Sequence, residues 1–118
     1  MDKRNQYLNE ATLNALRDIM GNEFESLIHA FIRDADNRLE HLEQAFQSQE
    51  AEKLRRSAHM FKGSCLNVGA KQLSKTCKHI EDLAREGRVQ DAEPMISSLV
   101  GDLQGTKKAL IAYLKSMD

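Results

Sequence analysis

Apolar positions recur at steps of three and four along most of this chain, the spacing of helices with one buried face. Leu13, Leu16 and Ile19 form a first short stripe. Asn9 is placed to cap that helix, and Gly21 suits the position just past its end. Asn22 followed by Glu25 reads as a capping box that opens a long helix running to about Ser48. Leu27, Ile28, Phe31, Ala35, Leu39, Leu42 and Phe46 line its inner face. Arg33, Asp34, Asp36, Arg38, Glu40 and Glu43 give its other face a solvated charge pattern. Leu54, Ala58, Phe61, Cys65 and Val68 mark a third helix, from about Glu50 to Leu66. Asn67-Val68-Gly69 then makes a tight connection, because Asn and Gly tolerate positive φ. So short a link sends the next helix back antiparallel. That helix carries Ala70, Leu73, Cys77, Ile80 and Ala84 inward and stops at Gly87. The last helix begins near Gln90 or Asp91, with Pro94 in its first turn, where a missing N–H does no harm. Ile96, Leu99, Leu103, Leu110, Tyr113 and Met117 continue it at near-heptad spacing. It is expected to be continuous, although Gly101 and Gly105 weaken it.

These segments and their short connections predict an all-α fold, an antiparallel up-and-down four-helix bundle with a short extra N-terminal helix over one end. Residues 1–8 carry little pattern and are expected to be a flexible arm, leaving 9–118 as the bundle domain. Composition agrees with one folded domain: 118 residues, 41% hydrophobic and 30% charged, with a single Pro and only 5% aromatic residues. Seventeen Lys and Arg against eighteen Asp and Glu leave a net charge of −1, which gives no support for nucleic-acid binding. No apolar run is long enough to span a membrane, and the N-terminus lacks the apolar region of a signal peptide. A cytoplasmic location is expected. Cys65 and Cys77 stand on two inward stripes without a Cys-x-x-Cys spacing, so they read as packed, reduced thiols.

Candidate chemistry centres on one face of the third helix. At about 100° per residue, His59 projects roughly 140° from the middle of the apolar stripe, toward solvent. Lys62, Gly63 and Leu66 lie beside it. A glycine costs a helix interior about 0.5–1 kcal/mol. Gly63, four residues after His59, therefore makes sense if something must come close to the helix beside the imidazole. A neutral imidazole is a good nucleophile near pH 7 and can take a phosphoryl group from an aspartyl-phosphate. Lys62, on the adjoining face, is the candidate for neutralising the phosphoryl charge, and Gly63 for keeping the approach clear.

His59, Phe61, Lys62, Gly63, Ser64, Gly69 and Ala70 resemble the signature of the histidine-containing phosphotransfer (HPt) family, His-x-Leu/Phe-Lys-Gly-Ser-x-x-x-x-Gly-Ala. The likeness continues through Leu73, Cys77, Ile80, Glu81 and Arg85, and covers nearly the whole chain in length and pattern. The resemblance implies the same bundle, with Gly69 and Ala70 in its tight turn. It implies that Glu81 holds the imidazole in orientation and that Arg85 adds a second cation. It also implies a phosphorelay carrier rather than a self-contained enzyme. Such a carrier takes a phosphoryl group from the receiver domain of a hybrid sensor histidine kinase and passes it to the receiver of a response regulator. No cofactor of its own is expected: the sequence lacks a Gly-rich nucleotide loop and any acidic cluster of the receiver type, and Mg2+ is expected in the partner receiver. The docking patch is expected to include Arg55, Arg56, Met60, Lys62, Leu66 and Lys71. A bacterial, free-standing monomer is expected.

Three other readings compete. A di-iron bundle needs Glu-x-x-His on two helices, and no Glu stands three residues before any His, so no metal site is expected. A kinase dimerisation domain usually has an acidic residue directly after its helical His, whereas Met60 follows His59. A non-transferring helical bundle that binds receivers or other signalling proteins is the remaining alternative, and the presence of both His59 and Lys62 argues against it. His29, His41 and His79 read as surface or rim residues.

Overall fold

The computed structural model describes residues 4–117. Its helices are α1 (Arg4–Tyr7), α2 (Glu10–Met20), α3 (Phe24–Gln47), α4 (Ala51–Asn67), α5 (Lys71–Arg85) and α6 (Glu93–Lys115). Single 3-10 turns at Gly21–Glu23 and Gln90–Ala92 lead into α3 and α6. Helices α3 to α6 form the expected antiparallel four-helix bundle, each packed on the next and α6 closing back on α3. No strand occurs among the described residues, and none of their helices is long and apolar enough to cross a membrane.

The core follows the stripes. Ile28, Phe31, Ala35, Leu39 and Leu42 of α3 meet Leu54, Ala58, Phe61 and Cys65 of α4. Leu73, Cys77, Ile80 and Ala84 of α5 and Ile96, Leu99, Leu103 and Leu110 of α6 complete it. Each large apolar side chain so buried contributes about 1.5–3 kcal/mol. Helix α6 runs unbroken through Gly101 and Gly105, with Pro94 in its first turn. Cys65 and Cys77 are both buried and unbridged. A hydrogen bond with Cys77, reinforced by burial, pushes the Cys65 thiol pKa well above its ordinary value.

Three local expectations change. Asn22 does not cap α3: the chain reaches it through the 3-10 turn, and the residue ahead of the helix, Glu23, keeps helical φ and ψ and makes no side-chain cap. A capping residue needs extended backbone there. Asn9 does have that geometry (φ −95°, ψ 97°), and its Oδ1 accepts from the Thr12 amide at 3.2 Å. Second, Ile19 is 83% exposed. Met20, not Ile19, continues the Leu13–Leu16 stripe against the core.

Third, the packed chain begins before residue 9. Of the expected arm 1–8, positions 1–3 lie outside the described residues, but Arg4–Tyr7 is a helical turn against α5 and α6, and Leu8 is buried. The cause is a space that α6 leaves open. A Cβ built at Gly105 would overlap the Tyr7 ring, so the glycine that weakens α6 makes room for that ring. The Asn9 amide then donates to the Gly69 carbonyl at 2.8 Å, pinning the N-terminal segment to the α4–α5 turn.

Candidate functional site

Helices α4 and α5 form the most extensive helix pair of the bundle, and their connection sets the site. Gly69 takes φ +67°, a conformation that side-chain-bearing residues rarely adopt. A Cβ there would also lie 3.0 Å from the Asn9 carbonyl oxygen. The Ala70 amide returns to the Cys65 carbonyl at 2.9 Å, and α5 starts at once. His59 stands about ten residues before this turn and Glu81 about twelve after it. At 1.5 Å per residue the two are nearly level and face each other.

The His59 Nδ1–H donates to Glu81 Oε2 across 2.7 Å. Lys62 Nζ donates to the other oxygen, Oε1, at 2.6 Å. Arg85 Nη2 donates to Oε2 at 3.2 Å, and its Nη1 to Asp82 Oδ1 at 3.2 Å. Glu81 is only 2% exposed, whereas the His59 side chain is 60% exposed. A buried carboxylate is costly unless charges and hydrogen bonds meet it. Burial alone would raise its pKa, but the hydrogen bonds and charges of Lys62 and His59 outweigh that and hold the Glu81 carboxyl below the usual range. With Glu81 as the acceptor, the neutral tautomer that fits the contact carries its hydrogen on Nδ1 and its lone pair on Nε2, which has no hydrogen-bond partner among the described residues.

Gly63 lies on the exposed face one turn on, and a Cβ there would meet nothing within 4 Å. The fold itself does not require this glycine. Met60 and Leu66 are the large apolar side chains left exposed beside His59, at 61% and 57%.

The family model of the Hpt domain matches residues 26–115. The chain belongs to the Hpt family. It is also 31% identical to histidine-containing phosphotransfer protein B (HptB) of Pseudomonas aeruginosa PAO1, whose crystal structure superposes with a TM-score of 0.87. That match covers 93% of this chain and 96% of the other. No curated protein matches the sequence. As an Hpt protein, the chain is a histidine phosphotransfer carrier of the kind that works with receiver domains in phosphorelays.

The remaining sequence candidates lie on the same two helices as His59 and Glu81. Arg55 and Arg56 lie one turn before it, and both bond Glu52: Arg55 through Nε at 2.9 Å and Nη2 at 2.7 Å, Arg56 through Nε at 3.2 Å. The Arg55 guanidinium holds the Glu52 carboxyl down at about 2. Lys71, the first residue of α5, lies at the turn end of this face. His29 and His79 are exposed and away from the cluster, with His29 paired to Glu25 at 3.6 Å.

Two residues on α3 that the sequence reading gave only as a solvated charge and a surface or rim histidine stand near this face. Arg38 and His41 line a groove between α3 and α4 together with Lys53, Arg56 and Met60. In the sequence, Arg38 sits within a mixed charge pattern on α3. Nothing in that pattern says which of its charges turns toward α4.

Proposed function

We propose that His59 is the phosphoryl-accepting residue and that it reacts through Nε2. The observation that carries this is the 2.7 Å Nδ1–Glu81 hydrogen bond on a ring that is otherwise open to solvent. It fixes the tautomer with the reactive lone pair outward. In the forward step the Nε2 lone pair attacks the phosphorus of a receiver aspartyl-phosphate in line. The N–P bond forms, the P–O bond breaks, and the aspartate carboxylate leaves with the electron pair. No proton needs to move: Nδ1 keeps its hydrogen, and the positive charge gained by the ring is met by Glu81. Transfer to a second receiver is the same step reversed. Lys62 holds Glu81 ionised and, three residues after His59, is the cation assigned to the phosphoryl oxygens; Arg85 adds a second cation at Glu81, and Gly63 leaves the approach open.

The donor is the receiver domain of a hybrid sensor kinase, and the acceptor is the receiver of a response regulator. Each partner brings its own Mg2+ and acidic pocket, and this chain works as a bacterial, cytoplasmic monomer. Arg55, Arg56, Met60, Leu66 and Lys71 form the docking patch around the histidine. The test is transfer from phosphorylated receivers to the wild type and to His59→Gln. Acid-labile, base-stable labelling of the wild type that is lost in the variant is the expected result. If a broad panel of receivers labels neither protein while both fold equally well, the carrier reading fails and a non-transferring interaction bundle takes its place.

A further inference from the structure

The chain has a net charge of −1, but its charges are segregated. Helix α4 carries Lys53, Arg55, Arg56 and Lys62 against Glu52 alone. Helix α5 carries Lys71, Lys75, Lys78 and Arg85 against Glu81 and Asp82. The α4–α5 face that bears the histidine is therefore basic on a chain that is not. On its α3 side this face runs into the groove lined by Arg38, His41, Lys53, Arg56 and Met60, with no carboxylate in the lining. Lys53 and Arg56 are tied to Glu50 and Glu52 at the rim. Arg38 and His41 have no acidic partner among the described residues. The groove encloses about 250 Å3, below the ~300–1,000 Å3 of small-molecule sites. Met60 belongs both to this groove and to the exposed surface next to His59.

We infer that the α3–α4 groove takes an acidic segment of the receiver domain beside its phosphoaspartate, and that Arg38 and Lys53 select partners by charge. This rests on the carrier reading above and extends it to a second helix. A groove without a carboxylate in its lining, where Arg38 has no acidic partner and Lys53 is paired only at the rim, steers an acidic surface toward docking beside the exposed Met60 and His59. The effect is on association rate and is screened by salt over about 8–10 Å at physiological ionic strength.

The test uses the double variant Arg38→Glu/Lys53→Glu, one change on each wall of the groove and neither in contact with the His59–Glu81 cluster. Labelling by phosphoramidate, a small phosphodonor with no docking surface, reports on the chemical site alone and is expected to be unchanged. Transfer from the receivers that label the wild type is expected to lose at least tenfold in kcat/KM at low salt. Its salt dependence should also become shallower. Unchanged kcat/KM and an unchanged salt slope overturn the proposal and leave the carrier reading standing. An equal loss with phosphoramidate also overturns it, since the damage then lies at the chemical site. If no receiver labels the wild type, the carrier reading fails and the proposal fails with it.

Discussion

Replacing Gly63 by alanine should make the protein more stable and a poorer phosphoryl carrier. The residue is helical and exposed, and a Cβ there touches nothing within 4 Å. The usual penalty for glycine in a helix interior, about 0.5–1 kcal/mol relative to alanine, is therefore fully recoverable. Unfolding entropy of roughly 2 cal/mol/K per residue converts this into a rise in Tm of about 2–4 °C for a chain of this size. The functional cost comes from the partner. In the proposed relay, two protein surfaces must close until the phosphorus reaches Nε2, and a methyl group one turn from His59 would sit where the receiver approaches. Gly63→Ala should slow transfer several-fold, and Gly63→Leu should all but abolish it. Both should keep phosphoramidate labelling, which needs no docked surface. Calorimetry and rapid-quench transfer on the same preparations check the two halves separately. A lower Tm for Gly63→Ala would show that the glycine serves the fold. Full transfer rates in Gly63→Leu would show that nothing comes close on this side of the histidine.

Glu81→Ala should slow transfer by an order of magnitude or more, because the imidazole loses its Nδ1 acceptor. Glu81→Gln, which keeps an acceptor oxygen but no charge to meet the imidazolium, should recover only part of that rate. Glu81 has a lowered pKa in the fold, so its ionised form stabilises the protein above the ordinary carboxyl range, about pH 4.3. That contribution is lost as pH falls through the lower, folded value. Wild-type stability followed by denaturant titration from pH 7 to 3 should drop more steeply below pH 4.3 than that of Glu81→Gln. At pH 7 the variant should already be less stable, by about 1–3 kcal/mol. Gly105→Ala should push the Tyr7 ring off α6, which hydrogen exchange would read as lost protection around residues 6–9 with transfer at His59 unchanged.

Much of this architecture is legible in the sequence because a helix turns spacing into direction. The stripes through Phe31, Phe61, Cys77 and Leu103 each name a buried face, and all four faces pack as their spacing requires. The exposure of His59 follows from the same rule. What spacing does not carry is the meeting of separate segments. Gly105 looks like a weakness in α6 until Tyr7, about a hundred residues earlier, is seen filling the space beside it. Asn22 has the right neighbours for a cap but not the backbone angles, which the preceding 3-10 turn decides. Arg38 reads as one solvated charge among several on α3. Only its rotation toward Met60 and Arg56 makes it part of the groove between α3 and α4.

The cation arrangement also separates two roles that a sequence cannot tell apart. Arg85 divides its guanidinium between Glu81 and Asp82, so both bonded nitrogens face carboxylates of its own helix. Lys62 is a point charge with three hydrogens, one of which meets Glu81. Its side chain is still 20% exposed. In the proposed relay, a phosphoryl group on Nε2 would draw on the remaining ammonium hydrogens of this flexible stem, whereas drawing Arg85 over would strip two carboxylates at once. In that relay Arg85 therefore mainly holds Glu81 in place, and Lys62 is the cation that can answer the phosphate without letting go of the group that orients the imidazole.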